Sequence, residues 1–437
     1  MIYNESKFNT EWDTLPLSKL GEFKRGKSKH RPRNDQKLFE GGTYPLIQTG
    51  EIKAANLLIK SNNAAYNEEG LKQSKMWPAG TLAITIAANI AETGILAYPM
   101  CFPDSCVGFN ADKEKTTELF MHYVFTYIKR SIQSSAVGSI QDNINIEMLT
   151  ALNFKIPKKP IQDLIVDLLS AIDYKIELNN DINTELENLA KTIYNYWFVQ
   201  FDFPNAEGKP YKTSGGEMEW NEELKMEIPT DWSKGKLSEV ANITMGQSPK
   251  GSSYNEDGEG MVFYQGSTDF NFRFPEIRMY TTEPTRFAKE EDILLSVRAP
   301  VGTINVANED CCIGRGLAAL NSKNGTQSYL LYLMFYFKSM FDIQNRTGTT
   351  FGSIDKDTLY DLSFPKPPIE LQKRFQEIVG KYDSMILSRS RENQELIKLR
   401  DFLLPMLMNG QVKVKNEAKE QLSMAAEPQA EYKKSRT

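Results

Sequence analysis

The stretch GEFKRGKS, residues 21–28, spaces Gly21, Gly26, Lys27 and Ser28 as a loop that cradles nucleotide phosphates would. In such a loop backbone N–H groups wrap the phosphates, the lysine meets the terminal ones and the hydroxyl holds magnesium. Taken alone, the match would make the chain an ATP- or GTP-driven enzyme. Little else competes for chemistry. His30 and His122 are the only histidines; they lie far apart and neither neighbours a Cys-x-x-Cys pair. No metal site is therefore expected, and no Ser/His/Asp set assembles. Pro103-Asp104 is the only Pro-Asp pair, and it lacks the acid-x-Lys that a nuclease would place after it. There is no NPPY-like or glycine-rich methyltransferase signature.

The same region raises a second possibility. Residues 24–37 carry seven Lys or Arg against one acid, Asp35, in a chain of net charge -5. Charge this unevenly placed makes a local anion-binding strip compatible with an acidic protein, although a solvated loop would look the same. At 437 residues the chain exceeds one ordinary core, so two or more domains are expected. Its 40% hydrophobic and 25% charged residues are those of a soluble globular protein. The longest apolar run, from Leu330 to Phe337, stops at Lys338, far short of the ~20 residues of a membrane helix. The polar start MIYNESKFNTEWD reads as no secretory signal, and four cysteines suit a reducing cytoplasm.

The chain is written twice. WDTLPLSKLGEFKRGKS (12–28) returns as WSKGKLSEVANITMGQS (232–248), pairing Trp12 with Trp232, Leu17 with Leu237, Gly26 with Gly246 and Ser28 with Ser248. Later Gly138 pairs with Gly348, Leu149 with Leu359, Pro157 with Pro367, Gln162 with Gln372 and Asp173 with Asp383, without a gap. Between these blocks PLIQTGE (45–51) faces FYQGSTD (263–269), and SCVGFN (105–110) faces CCIGRG (311–316). The repeat decides the first question. The second copy holds Ala241 and Gln247 where the first holds Gly21 and Lys27, and LPLSKL is too polar for the buried strand that precedes a phosphate loop. The shared glycine turn is architecture; lysine against glutamine is where the copies specialise.

Each copy has a front part of short β-branched and aromatic runs broken by Gly, Asn and Pro, such as TLAITIAANIAETGILAYP (81–99) and ILLSVRAPVGTINVA (293–307). A short helix follows, near 117–130 and 326–341, then a strand with a proline exit. After the exit the period changes. Ile161, Ile165, Leu168, Ile172 and Ile176, then Ile182, Leu186, Leu189, Ile193 and Tyr196, step by threes and fours. Leu371, Phe375, Ile378, Tyr382 and Ile386, then Leu396, Leu399 and Leu403, do the same. These predict two long coiled-coil helices that pair antiparallel about a pseudo-twofold axis, or else each cover their own front part.

In its layout and its motifs the sequence resembles the specificity (S) subunit of type I restriction–modification enzymes. The carriers are the two-copy layout, YPLIQTGEI and VFYQGSTDF, LLSVRAPVGTI, the exits IPKKPIQ and FPKPPIELQ, LENLAKTIYNYWFVQFDFP and the linker PNAEGKPYKTSGGEMEWN. The first exit departs from the usual pattern in reading PIQDLIVDLL. The resemblance implies a mixed α+β fold: two α/β target-recognition domains separated by a pair of long antiparallel coiled-coil helices. The divisions are 1–160 and 232–368 for the recognition domains, 161–200 and 369–410 for the helices, 201–231 for a linker and 411–437 for a disordered tail. The resemblance also implies a non-catalytic cytoplasmic chain, without a membrane, that binds double-stranded DNA. It would dock two methyltransferase (modification) subunits and, through them, restriction/translocase subunits. No cofactor is expected in this chain; S-adenosylmethionine, ATP and Mg would belong to the partners.

DNA reading needs phosphate grip and donor–acceptor side chains for base edges. In the first copy the grip candidates are Lys24, Arg25, Lys27, Lys29, Arg31 and Arg33, and the readout candidates Gln48, Thr49, Asn89 and Gln141. In the second copy the candidates are Gln247, Ser248, Gln265, Ser267, Arg298, Arg315, Thr349 and Thr350. Unlike readers predict a bipartite, asymmetric target with an unread spacer. The alternatives are the specificity subunit of a fused cleaving-and-methylating system and a coiled-coil scaffold that binds no DNA.

Overall fold

The structure, a computed structural model, describes residues 2–87, 90–137, 146–346 and 353–414. The chain forms two compact units, one built from residues up to 179 and from 392 onward, the other from 180–391. The divisions fall inside the two long helices, Lys159–Tyr194 and Ile369–Met408. Each unit therefore owns half of each helix. None of the described helices is long and apolar enough to cross a membrane, and no group of metal-ligating side chains occurs among the described residues.

In the first unit a sheet runs in the order Gly21–Arg25, Cys106–Ala111, Leu82–Thr85, Thr93–Leu96, Leu58–Ile59, antiparallel except for its last pair. The run LAIT (82–85) is buried at every position, as a central strand covered on both faces requires. A second sheet orders Ala64–Tyr66, Tyr44–Leu46, Met100–Cys101 and Met76–Trp77. The ladder of Asp13–Pro16 with Asn153–Ile156 brings the start of the front part to its exit. The helix Glu118–Val137, longer than its apolar pattern suggested, packs Phe120, Val124 and Ile128 into one core. That core also holds Ile165 and Leu169 of the first long helix and Leu404 and Leu407 of the second.

The second unit repeats the plan. Ala241–Met245, Leu317–Ser322, Ile293–Ser296 and Ile304–Val306 form one sheet. Tyr254–Asn255, Tyr280–Thr281, Met261–Tyr264, Cys311–Ile313 and Phe287–Ala288 form the other. The ladder is Ser233–Lys236 with Ser363–Lys366, and the helix is Gln327–Arg346. Repeated residues make repeated bonds. Gln162 Nε2 donates to Pro157 O (2.9 Å) and Gln372 Nε2 to Pro367 O (3.0 Å), while Thr116 and Thr326 hydroxyls donate to the two glutamine carbonyls. Tyr123 OH donates to Asp173 (2.7 Å) and Tyr332 OH to Asp383 (3.2 Å).

The long helices pair antiparallel within each unit. In the first, Asp173 meets Arg400 (2.9 Å) and Asn179 Nδ2 donates to Asn393 Oδ1 and Glu392 Oε2, each at 2.8 Å. In the second, Asn183 Nδ2 donates to Ser390 Oγ (3.4 Å) and Tyr194 packs on Phe375. The buried stripe of the first helix reads Gln162, Ile165, Leu169, Ile172, Ile176, Asn179, Asn183, Glu187, Ala190, Tyr194. This corrects the apolar seam read from sequence. Ile161, Leu189 and Tyr196, and Ile378 and Leu399 on the second helix, are exposed. From Asn179 to Glu187 the seam positions are polar, so counting apolar residues alone slipped the seam by one. Of the tail 411–437 only 411–414 are described; Val412 N donates to Met406 O (3.1 Å) and Val414 packs on the first unit's core.

His122 lies in that core, its Nδ1 3.0 Å from Thr93 Oγ1. Burial, with Arg400 adding to it and Asp173 opposing, holds its pKa down at about 4. The neutral ring is the folded form, and the unfolded chain takes up the proton first, below its ordinary 6.5. Stability contributed by His122 is thus complete above pH 6.5 and falls as the pH drops towards 4, by about 3 kcal/mol in all. Urea midpoints between pH 6.5 and 5 should decline in the native chain and flatten in a His122→Asn variant.

Candidate nucleic-acid interface

At one end of each unit's sheets four short segments meet, and a common set of hydrogen bonds joins them in both units. Gly26 N donates to Cys106 O (2.8 Å) and Gly246 N to Leu317 O (2.9 Å). Lys27 N donates to Phe102 O (3.2 Å) and Gln247 N to Ile313 O (3.0 Å). Ser74 Oγ donates to Lys27 O (3.0 Å) and Thr285 Oγ1 to Gln247 O (2.5 Å). The parallel pairs Leu46–Cys101 and Phe263–Cys312 set Gln48 and Gln265 at matching sites just beyond a strand end. These bonds correct one stretch of the self-alignment. CCIGRG corresponds to the residues around Phe102 and Asp104; SCVGFN corresponds to the strand that follows it. Glycine and cysteine letters had drawn the two out of register, whereas backbone pairing places Cys106 with Leu317.

The frame puts unlike side chains at like positions. Lys27 faces the place of Gln247, Lys75 that of Arg286, Met76 that of Phe287 and Asp104 that of Arg315. Gln48 and Gln265 are alike. Lys75, Arg286, Phe287 and Arg315 are exposed. Lys75 Nζ sits 3.6 Å from the centroid of Trp77, and its pKa is lowered by partial burial and by Lys24 nearby. Lys75, Asp104, Arg286 and Phe287 escaped the sequence reading, although the matched pieces SKMW (74–77) and TRFA (285–288) carried a detectable signal.

Most of the sequence-derived candidates gather here. Lys24 and Arg25 end the edge strand Gly21–Arg25; Lys24 pairs with Glu22 and Arg25 Nε donates to Asp104 O (2.6 Å). Lys27 follows in the turn. Lys29 N donates to Gln73 Oε1 (2.8 Å). Arg31 and Arg33 reach Asp104 at 3.4 and 2.5 Å. His30 Nε2 lies 2.8 Å from Asp35, a bond that holds the Asp35 carboxyl below its usual range. Gln48 is exposed and precedes the short helix Thr49–Ala54, which Thr49 opens. In the second unit Ser248 Oγ accepts from Arg315 N (3.3 Å), Gln265 lies against Gly314, and Ser267 opens a single turn. Arg298 stands at the edge of the set, exposed, one residue past the Val297–Gly316 bond and bridged to Ser353. Asn89, Gln141, Thr349 and Thr350 lie outside the described residues.

The phosphate-loop reading has no support in this geometry. Gly21–Arg25 is an antiparallel edge strand, and no helix opens after Ser28 to present its N-terminus to a phosphate.

Comparison with known proteins agrees with this two-copy plan. The family model for the type I restriction modification DNA specificity domain matches twice, over residues 9–188 and 229–398. The chain is 32% identical over 313 residues, 70% of each protein, to a putative type I restriction enzyme MjaX specificity subunit from Methanocaldococcus jannaschii. It is 24% identical over 431 residues, 93% of this chain and 95% of the relative, to the MjaIX specificity subunit of that organism. The crystal structure of the type I S subunit from M. genitalium shares the fold at a TM-score of 0.55 and 18% identity, covering 93% of this chain and 99% of that one. The chain belongs to the type I restriction–modification DNA specificity family, carries the family's domain twice, and is a specificity subunit rather than a catalyst.

Proposed function

We propose that the two four-segment loop sets are the DNA-reading heads, each taking one half of a bipartite target, and that the helices dock the subunits that methylate it. The observation that carries this reading is one backbone frame, repeated bond for bond, with different side chains at its matching positions. A frame that recurs while its polar tips diverge is what two unlike half-sites demand. The first head is rich in cations, with Arg25, Lys27, Lys29, Arg31 and Arg33 as phosphate contacts. The second offers Gln247, Gln265, Arg286 and Arg315, whose amide and guanidinium donors suit base edges, beside the apolar Phe287.

Docking of modification subunits is supported by apolar side chains left exposed on the long helices. Among these are Tyr174 and Leu178 in the first unit, and Leu189, Ile378 and Met385 in the second. Restriction subunits would join through those partners, which would also carry S-adenosylmethionine, ATP and Mg.

The test is to express the chain with its modification partners and map methylated adenines by single-molecule sequencing. The expected motif has two unlike parts separated by unread positions. An uninterrupted or palindromic motif, or binding by the assembled complex that is indifferent to salt, contradicts the reading.

A further inference from the structure

We infer that Asp104 is a positioning residue of the first reading head, restraining its basic strip so that the arginines serve discrimination instead of indiscriminate grip. The inference rests on the two-head reading above. Three of the strip's cations converge on this residue. Arg33 Nη2 is 2.5 Å from Oδ1, Arg31 Nη2 is 3.4 Å from Oδ2, and Arg25 Nε donates to the main-chain oxygen at 2.6 Å. Arg31 is further held by Nη1 bonds to Ser28 O (2.7 Å) and His30 O (2.8 Å). The carboxylate is the more sheltered partner, its side chain 29% exposed against 55% for Arg31 and 49% for Arg33.

The second head shows that an acid is not required by the frame. Its equivalent position carries Arg315, whose backbone N–H is held by Ser248 Oγ, and that head has no basic strip. The inversion therefore goes with the strip. A carboxylate beside two guanidinium groups competes with DNA phosphates for them and lowers the counterion release that drives non-specific binding. It also fixes the planes of the two forks, leaving their outward N–H groups aimed in set directions, which is what bidentate contact needs.

The experiment uses the full chain assembled with modification subunits, and compares Asp104→Asn, the pair Arg31→Gln with Arg33→Gln, and all three changes together. Binding to a target-free duplex is measured against salt, and the methylated motif is mapped for each. Asp104→Asn should tighten target-free binding by about fivefold, the release of an exposed ion pair. Its salt slope should steepen by about 0.9 for each further phosphate that the freed arginines neutralise. The first half-site should relax while the second stays unchanged. In the arginine-free background the same Asp104→Asn change should do nothing. Unchanged affinity and slope in the single variant would overturn the inference. So would an effect that persists without the arginines, since that marks a merely structural role. Failure of the two-head reading is seen separately, in a native complex that yields no two-part motif.

Discussion

Replacing Arg273 by alanine should cost the second unit about 3–5 kcal/mol, the penalty for stranding buried charge. Arg273 comes from the loop between the strands Met261–Tyr264 and Tyr280–Thr281 and is 3% exposed. Its Nη1 lies 3.1 Å from Asp383 on the second long helix, and its Nη2 3.0 Å from Glu187 on the first. Nη2 also donates to Tyr332 OH (3.1 Å) on the unit's shorter helix. One side chain thus ties the front part to both long helices. Burial disfavours the cation, yet Tyr332, Asp383 and Glu187 together hold it protonated, above even the usual arginine range.

The cluster is imperfectly satisfied. Arg273 Nε, Glu187 Oε2 and Asp383 Oδ2 have no aligned hydrogen-bond partner, so the approach to Glu187 is an ion pair without hydrogen-bond geometry. Desolvation then offsets much of the attraction, and removing all three charges should cost far less than removing one. Urea unfolding of Arg273→Ala should therefore show a large loss that Arg273→Met with Glu187→Leu and Asp383→Leu mostly recovers. Equal losses in both would mean instead that the cluster is a strong net stabiliser. The first unit solves the same problem differently. Its Asp173, 1% exposed, takes Arg400 from the second long helix, along with Tyr123.

That contrast explains what could be read in the sequence and what could not. The duplication was legible because the residues that repeat, Gly26 with Gly246, Gln162 with Gln372 and Asp173 with Asp383, are those that the frame uses in both units. Arginines 273 and 400 were not, since they reach equivalent aspartates from unrelated places in the chain. The long helices were legible as helices, but their buried face was not. Asn179, Asn183 and Glu187 occupy seam positions, where the two asparagines bond the partner helix and Glu187 meets Arg273, and an apolar count passes over them. The loop sets proposed as reading heads were half legible. Residues in the glycine turns stood out, whereas Lys75, Arg286 and Phe287 reach the site only because short strands at Met76–Trp77 and Phe287–Ala288 pair with distant partners.

Because the two proposed heads share a frame, the frame itself can be broken one unit at a time. A Cβ placed on Gly26 would lie 2.2 Å from Pro103 O, and one on Gly246 would lie 2.2 Å from Gly314 O. Both obstacles are main-chain carbonyls, so no side chain can rotate away to relieve the contact. The turn must separate from the loop that carries Asp104 or Arg315, with an overpacking cost of about 1–3 kcal/mol or more. The effect on recognition should exceed the effect on folding, because the segments forced apart are the ones that present the proposed reading side chains. Gly246→Ala should reduce discrimination at the second half-site by at least about tenfold, each tenfold being ~1.4 kcal/mol, and leave the first half-site intact. Gly26→Ala should do the reverse. Gly50→Ala and Gly251→Ala, where a Cβ meets nothing within 4 Å, serve as controls that should leave both half-sites unchanged. Methylation maps in which either turn variant blurs both half-sites equally would mean that the turns support a common fold and not separate heads.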